Sequence, residues 1–125
     1  MKHLKRFETI TQDEINKDLV YQVFRYDLVE DECLENMKDL IDNQNANIDY
    51  IDDDGETVLM VSAFRQRYKI MFYLINKNAN WNKKSSNGND FIKYLSIEDR
   101  RRIKTVFPEK YQEYLIKKEA EKYNL

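Results

Sequence analysis

Apolar positions between Thr57 and Ile75 fall into two short sets with helical spacing. Leu59, Val61 and Ala63 form the first, and Tyr68, Ile70, Met71, Leu74 and Ile75 form the second. The spacing predicts two short helices joined by a polar break. Asp52 and Gly55 stand at the first and fourth places of a turn just upstream, where type I turns favour Asp and Gly. Asn78 follows the second set, and Asn tolerates the left-handed conformation that closes a helix. Nearer the N-terminus, Thr11 and Glu14 fit a capping box and predict a helix starting near Gln12, with Ile15, Leu19, Val20, Val23 and Phe24 inward. Residues 1–10 lack a clear period and are read as a lead-in arm. Glu30-Asp31-Glu32 is expected to end or follow the first helix. A second short helix should run from about Cys33 to Asp42, with Leu34, Met37, Leu40 and Ile41 inward.

The same pattern recurs at a fixed interval. Met37, Leu40 and Ile41 match Met71, Leu74 and Ile75 at an offset of 34, whereas Asn45-Ala46-Asn47 matches Asn78-Ala79-Asn80 at 33. One residue is therefore inserted near Asn43 or Gln44. Ser85, Gly88, Asp90 and Ile92 follow Asp52, Gly55, Thr57 and Leu59 by 33. Tyr94 and Leu95 then stand where small residues are expected, so the third unit should be a divergent cap. Ser96 with Asp99 predicts a helix toward Val106 with Arg100, Arg101 and Arg102 outward. Phe107-Pro108 stops it, because the residue before Pro is pushed out of helical geometry. A last helix from about Glu109 to Tyr123 should place Tyr111, Leu115 and Tyr114 against the third unit.

Gly55, Thr57, Leu59, Ser62-Ala63, Ile70-Met71, Leu74-Ile75 and Asn78-Ala79-Asn80-Trp81-Asn82 together resemble an ankyrin repeat. The resemblance implies an all-α solenoid of about three helix pairs with short hairpin fingers and a C-terminal capping helix. Its expected divisions are a degenerate first repeat over 11–51, a central repeat over 52–84, an incomplete third over 85–107 and the cap over 108–125, in a single domain. Trp81, at a place where the family has Val or Ile, is expected to pack between repeats.

Composition narrows the function. Two Gly and one Pro favour helices, and no apolar run approaches the ~20 residues of a membrane span. Lone Cys33 excludes an internal disulfide or a Cys-rich metal site, and the expected location is cytoplasmic, in the host if the gene is viral or from a phage. Charge is segregated: Glu30 to Glu56 holds eleven acids and one base, a local −10, while Thr57 to Leu125 holds fifteen bases and seven acids, a local +8. The acidic block would steer a basic partner.

Several chemistries fall away. Read as a calcium loop with Gly55 sixth, the finger would need oxygen ligands at Tyr50 and Val61, and Val61 has none to give. His3, the sole histidine, sits in the arm, and no nucleophile–base or phosphate-cradling motif exists, so no catalysis, cofactor, metal or small-molecule substrate is expected. The resemblance instead implies partner contacts at Asp53, Asp54, Glu56, Met60, Phe64 and Arg65 of the central repeat and at Ser86, Asn87, Asn89 and Lys93 of the third. Tyr50, just before the finger, joins them, and Phe64 stands where the family mostly has a polar residue. The expected function is binding of one protein partner, of basic character, as a stoichiometric inhibitor or immunity-type protein. The alternative is a nucleic-acid role, either phosphate binding through the basic half or mimicry of nucleic acid by residues 30–56.

Overall fold

A computed structural model describes residues 10–123. The predicted arm, apart from Ile10, and His3 lie outside the described residues. Six helices follow in order: α1 (Gln12–Phe24), α2 (Glu30–Gln44), α3 (Val58–Phe64), α4 (Tyr68–Asn76), α5 (Ile97–Val106) and α6 (Pro108–Glu121), with a single 3-10 turn at Phe91–Tyr94 between α4 and α5. No strand occurs among the described residues. α1, α3 and the 3-10 turn pack side by side in one row, and α2 and α4 pack in a second. This is the two-row helical solenoid that the repeat pattern implied.

The starts and stops follow local chemistry. Thr11 accepts from the Glu14 N–H at 3.1 Å, and Glu14 returns a carboxylate to the Thr11 N–H at 3.2 Å, the reciprocal box that the sequence announced. Asn45 and Asn78 both take left-handed φ, at 56° and 65°. The inserted residue is visible in the hydrogen bonds behind them. The Ala46 N–H reaches back six residues to the Leu40 carbonyl, whereas the Ala79 N–H reaches back only five, to Leu74.

A side-chain ladder repeats the 33-residue period. Asn16 Oδ1 accepts from the Asn47 N–H at 2.7 Å, and Asp49 Oδ1 accepts from the Asn80 N–H at 2.8 Å. The first bond ties the loop after α2 back to α1, and the second ties the loop after α4 to the repeat before it. Within the loops, the Asn47 and Asn80 side chains accept from the N–H groups of Asp49 and Asn82.

Three expectations are corrected. α2 begins at Glu30 and not near Cys33: Glu30, Asp31 and Glu32, which follow α1 as expected, form its first turn, where free N–H groups and the helix dipole favour acids. Glu30 also accepts from the Ile70 N–H at 3.1 Å, and Asp31 pairs with Lys69 at 2.8 Å, so the acids join α2 to α4. The third repeat has one 3-10 turn in place of a full first helix. Asp90 caps it as Thr57 caps α3, but Leu95, 33 residues after the fully buried Ser62, sits in extended backbone and ends it. Leu115 is exposed, while Tyr114 is buried and Tyr111 half-buried against the stack.

α6 closes the far end. Trp81 is buried between Phe91, Tyr111 and Tyr114, with ring centroids 5.3, 6.3 and 6.2 Å away. Tyr114 donates to buried Asp90 at 2.8 Å, and Lys118 reaches both groups. Burial pushes the Tyr114 hydroxyl above the ordinary phenol range, aided by Asp90 and opposed by Lys118.

Candidate functional site

The first finger is built around Asp52. Its Oδ1 accepts from the N–H groups of Asp54 and Glu56 at 3.0 and 2.9 Å, and its carbonyl accepts from the Gly55 N–H at 2.9 Å. Gly55 holds φ at 78°, which closes the turn. The second finger repeats the geometry with Ser85 and Gly88, whose φ is also 78°. The two fingers stack: Ser86 Oγ donates to the Asp54 carbonyl at 3.3 Å, and a Cβ on Gly55 would lie 2.7 Å from that Oγ.

Asp52 is thus occupied in holding the turn, while Asp53 and Asp54 turn their side chains to solvent. Beside them runs a groove of about 200 Å³ lined by Lys17, Val20, Phe24, Tyr50 and Asp52 to Asp54. Tyr50 donates to Asp13 at 3.3 Å, and Asp13 also pairs with Lys17 at 3.1 Å. Burial chiefly, then Asp13, raises the Tyr50 hydroxyl above its ordinary value, so it stays a neutral donor near neutral pH. Two half-buried apolar side chains, Val20 and Phe24, face a tyrosine edge and two unpaired acids. Such a groove suits an apolar side chain flanked by a cation.

Phe24 connects this groove to a second group. The Arg65 guanidinium lies 4.6 Å from the Phe24 ring centroid and 5.2 Å from that of Tyr26. Phe64, one residue away, is 68% exposed. Glu56 and Asn89 are half-buried, and Ser86, Asn87 and Lys93 are exposed on the second finger and the 3-10 turn. Met60 is not at the surface. It is 1% exposed, and its sulfur accepts from the Thr57 N–H at 3.5 Å while Thr57 Oγ1 accepts from the Met60 N–H. Met60 fills the place of the Glu or Gln in a capping box, which turns it inward.

Val20, Phe24 and Tyr26 were missed as surface groups because helical spacing assigned the first two to the core. A signal was available: Phe24-Arg25 repeats Phe64-Arg65, each at the end of a first-row helix. The basic run on α5 is partly occupied. Arg100 donates to the Ile92 carbonyl at 3.1 Å, and Arg102 lies over the Tyr68 ring at 5.2 Å.

Residues 26–75, which span α2 to α4 and the first finger, match the family model for ankyrin repeats (many copies). Over that stretch the chain is similar to ankyrin repeats. No curated protein and no solved structure matches it. The ankyrin ladder continues past the matched residues in the second finger and its cap at Asp90. Ankyrin arrays are protein-interaction modules and generally non-enzymatic scaffolds. No described helix is long and apolar enough to cross a membrane.

Proposed function

We propose that this ankyrin domain binds one protein partner through the first finger and the adjoining face of the first-row helices, and that it acts in the cytoplasm as a stoichiometric inhibitor or immunity-type protein. The observation that carries the reading is the groove beside Tyr50, where apolar walls meet the unpaired carboxylates of Asp53 and Asp54. A partner that is basic where it meets the finger complements those acids. Glu56, Phe64, Arg65, Ser86, Asn87, Asn89 and Lys93 extend the surface on either side; Met60 supports it from within. A rigid binder that covers a functional surface inhibits by occlusion, and no chemistry of its own is needed. The buried, unpaired thiol of Cys33 accords with a reducing compartment.

The test is capture of the partner from the native host by the immobilised chain, followed by titration with purified components. The expected result is a 1:1 complex that Asp54→Ala combined with Phe64→Ala weakens at least tenfold, with helical content unchanged. Unchanged affinity of the double variant would remove this face from the reading.

A further inference from the structure

The cations around Arg65 all have acceptors. Arg25 forks onto Asp27, with bonds of 3.0 and 2.6 Å. Arg67 donates to the Arg25 carbonyl and approaches Cys33 Sγ at 4.0 Å. The Arg65 side chain has neither a hydrogen bond nor an ion pair among the described residues, and its Nε is buried without a partner. Phe24 and Tyr26 hold the guanidinium plane in place and strip water from part of it. Arg67 lies against the same Tyr26 ring at 5.5 Å, so Arg65 and Arg67 share one aromatic ring, and Arg25, whose carbonyl Arg67 meets, is paired with Asp27. A desolvated charged donor without an acceptor is costly, and the fixed fork of a guanidinium fits a carboxylate through paired bonds.

We infer that Arg65 is the anchor for an acidic side chain, Asp or Glu, of the protein partner, with an apolar neighbour of that residue covering exposed Phe64 and Tyr26. The inference rests on the protein-binding reading above and adds the chemistry of one contact. The local excess of positive charge favours an anion, and the aromatic surroundings favour a protein side chain over a phosphate backbone, which would need further free cations along its track. Phe24 separates this contact from the acidic finger. The partner therefore presents a carboxylate and a cation on either side of an apolar centre.

The probe is a displayed library of random twelve-residue peptides, selected in parallel against the wild type, Arg65→Gln and Arg65→Lys, each checked by circular dichroism for unchanged helicity. Wild type should enrich peptides with Asp or Glu next to an apolar residue. Such a peptide should bind Arg65→Gln about tenfold or more weakly and Arg65→Lys at an intermediate level, because the lysine keeps the charge and loses the fork. In nitrogen-15-labelled wild type, the Arg65 Nε–H resonance should move on titration with that peptide at lower concentration than with inorganic phosphate. Enriched peptides without an acidic preference, or equal binding to Arg65→Gln, overturn the inference and leave protein binding intact. A stronger response to phosphate than to peptide also overturns it. No enrichment on any of the three proteins overturns the protein-binding reading and the inference together.

Discussion

Replacing Gly55 by Ala tests whether the two fingers stack. Two costs are separable. The first is conformational: φ of 78° suits glycine, and an L-residue there loses about 1–2 kcal/mol, offset by about 0.4–1 kcal/mol because Ala restricts the unfolded chain. The second is steric. The new Cβ would lie 2.7, 2.8 and 3.0 Å from the Oγ, Cβ and backbone N of Ser86. The last contact is with backbone, so a side-chain rotation cannot relieve it, and overpacking of this kind costs about 1–3 kcal/mol. Gly88 supplies the control, having the same φ and no atom within 4 Å of its added Cβ. Gly88→Ala should therefore cost about 1 kcal/mol or less, and Gly55→Ala about 2–3 kcal/mol. For a chain of this length that corresponds to a fall in melting temperature of about 4 °C per kcal/mol. Urea and thermal unfolding followed by far-UV circular dichroism would measure both. Ser86→Gly should recover part of the Gly55→Ala loss, since it removes two of the three contacts. Equal destabilisation by the two glycine variants would refute finger stacking.

Other outcomes follow from the same contacts. Tyr114→Phe leaves buried Asp90 without one of its donors and should cost about 1–3 kcal/mol in urea unfolding. Thr57→Ala removes the α3 cap and should cost about 1 kcal/mol by the same measurement. Phe64→Ala should change stability by less than about 0.5 kcal/mol, because the ring is exposed; a larger loss would show that it is packed. Burial, with Asp42 adding to it, pushes the Tyr73 hydroxyl up to about 12. A phenol raised above its unfolded value contributes stability that is complete below about pH 10 and lost as pH rises toward 12. Phenolate absorbance should accordingly show a late-titrating group that disappears in Tyr73→Phe.

The repeat frame was legible because it is written in local chemistry. Thr11 with Glu14, Gly55, Gly88, Asn45, Asn78 and Ser96 each satisfy a cap or a turn within six residues, so the chain states them directly. Trp81 was legible as packing because it occupies a core place in the period. What escaped depends on contacts distant in sequence. Glu30 to Glu32 read as the end of the first helix or as residues after it, and their place in the first turn of α2 shows only when Ile70 and Lys69 claim two of them. Met60 looked like an exposed position because a sulfur in the capping-box role has no sequence signature. Leu115 and Tyr114 lie on one amphipathic turn, and only the meeting with Asp90 decides which faces inward. Arg65 was assigned to the surface on resemblance alone; its want of an acceptor shows only once Phe24 and Tyr26 are placed around it.

Trp81 is the single tryptophan of the sequence, and it sits at the seam where α6 meets the array. Its emission therefore reports one boundary and no other. Circular dichroism averages over every helix, so the two signals together separate release of the last helix from melting of the whole stack. In a linear array whose units touch only their neighbours, such release is free to occur first. Coincident transitions in the two signals would make α6 an inseparable part of the cooperative unit. An earlier shift in fluorescence would make the molecule a three-repeat spring with a clasp that opens before the coils do.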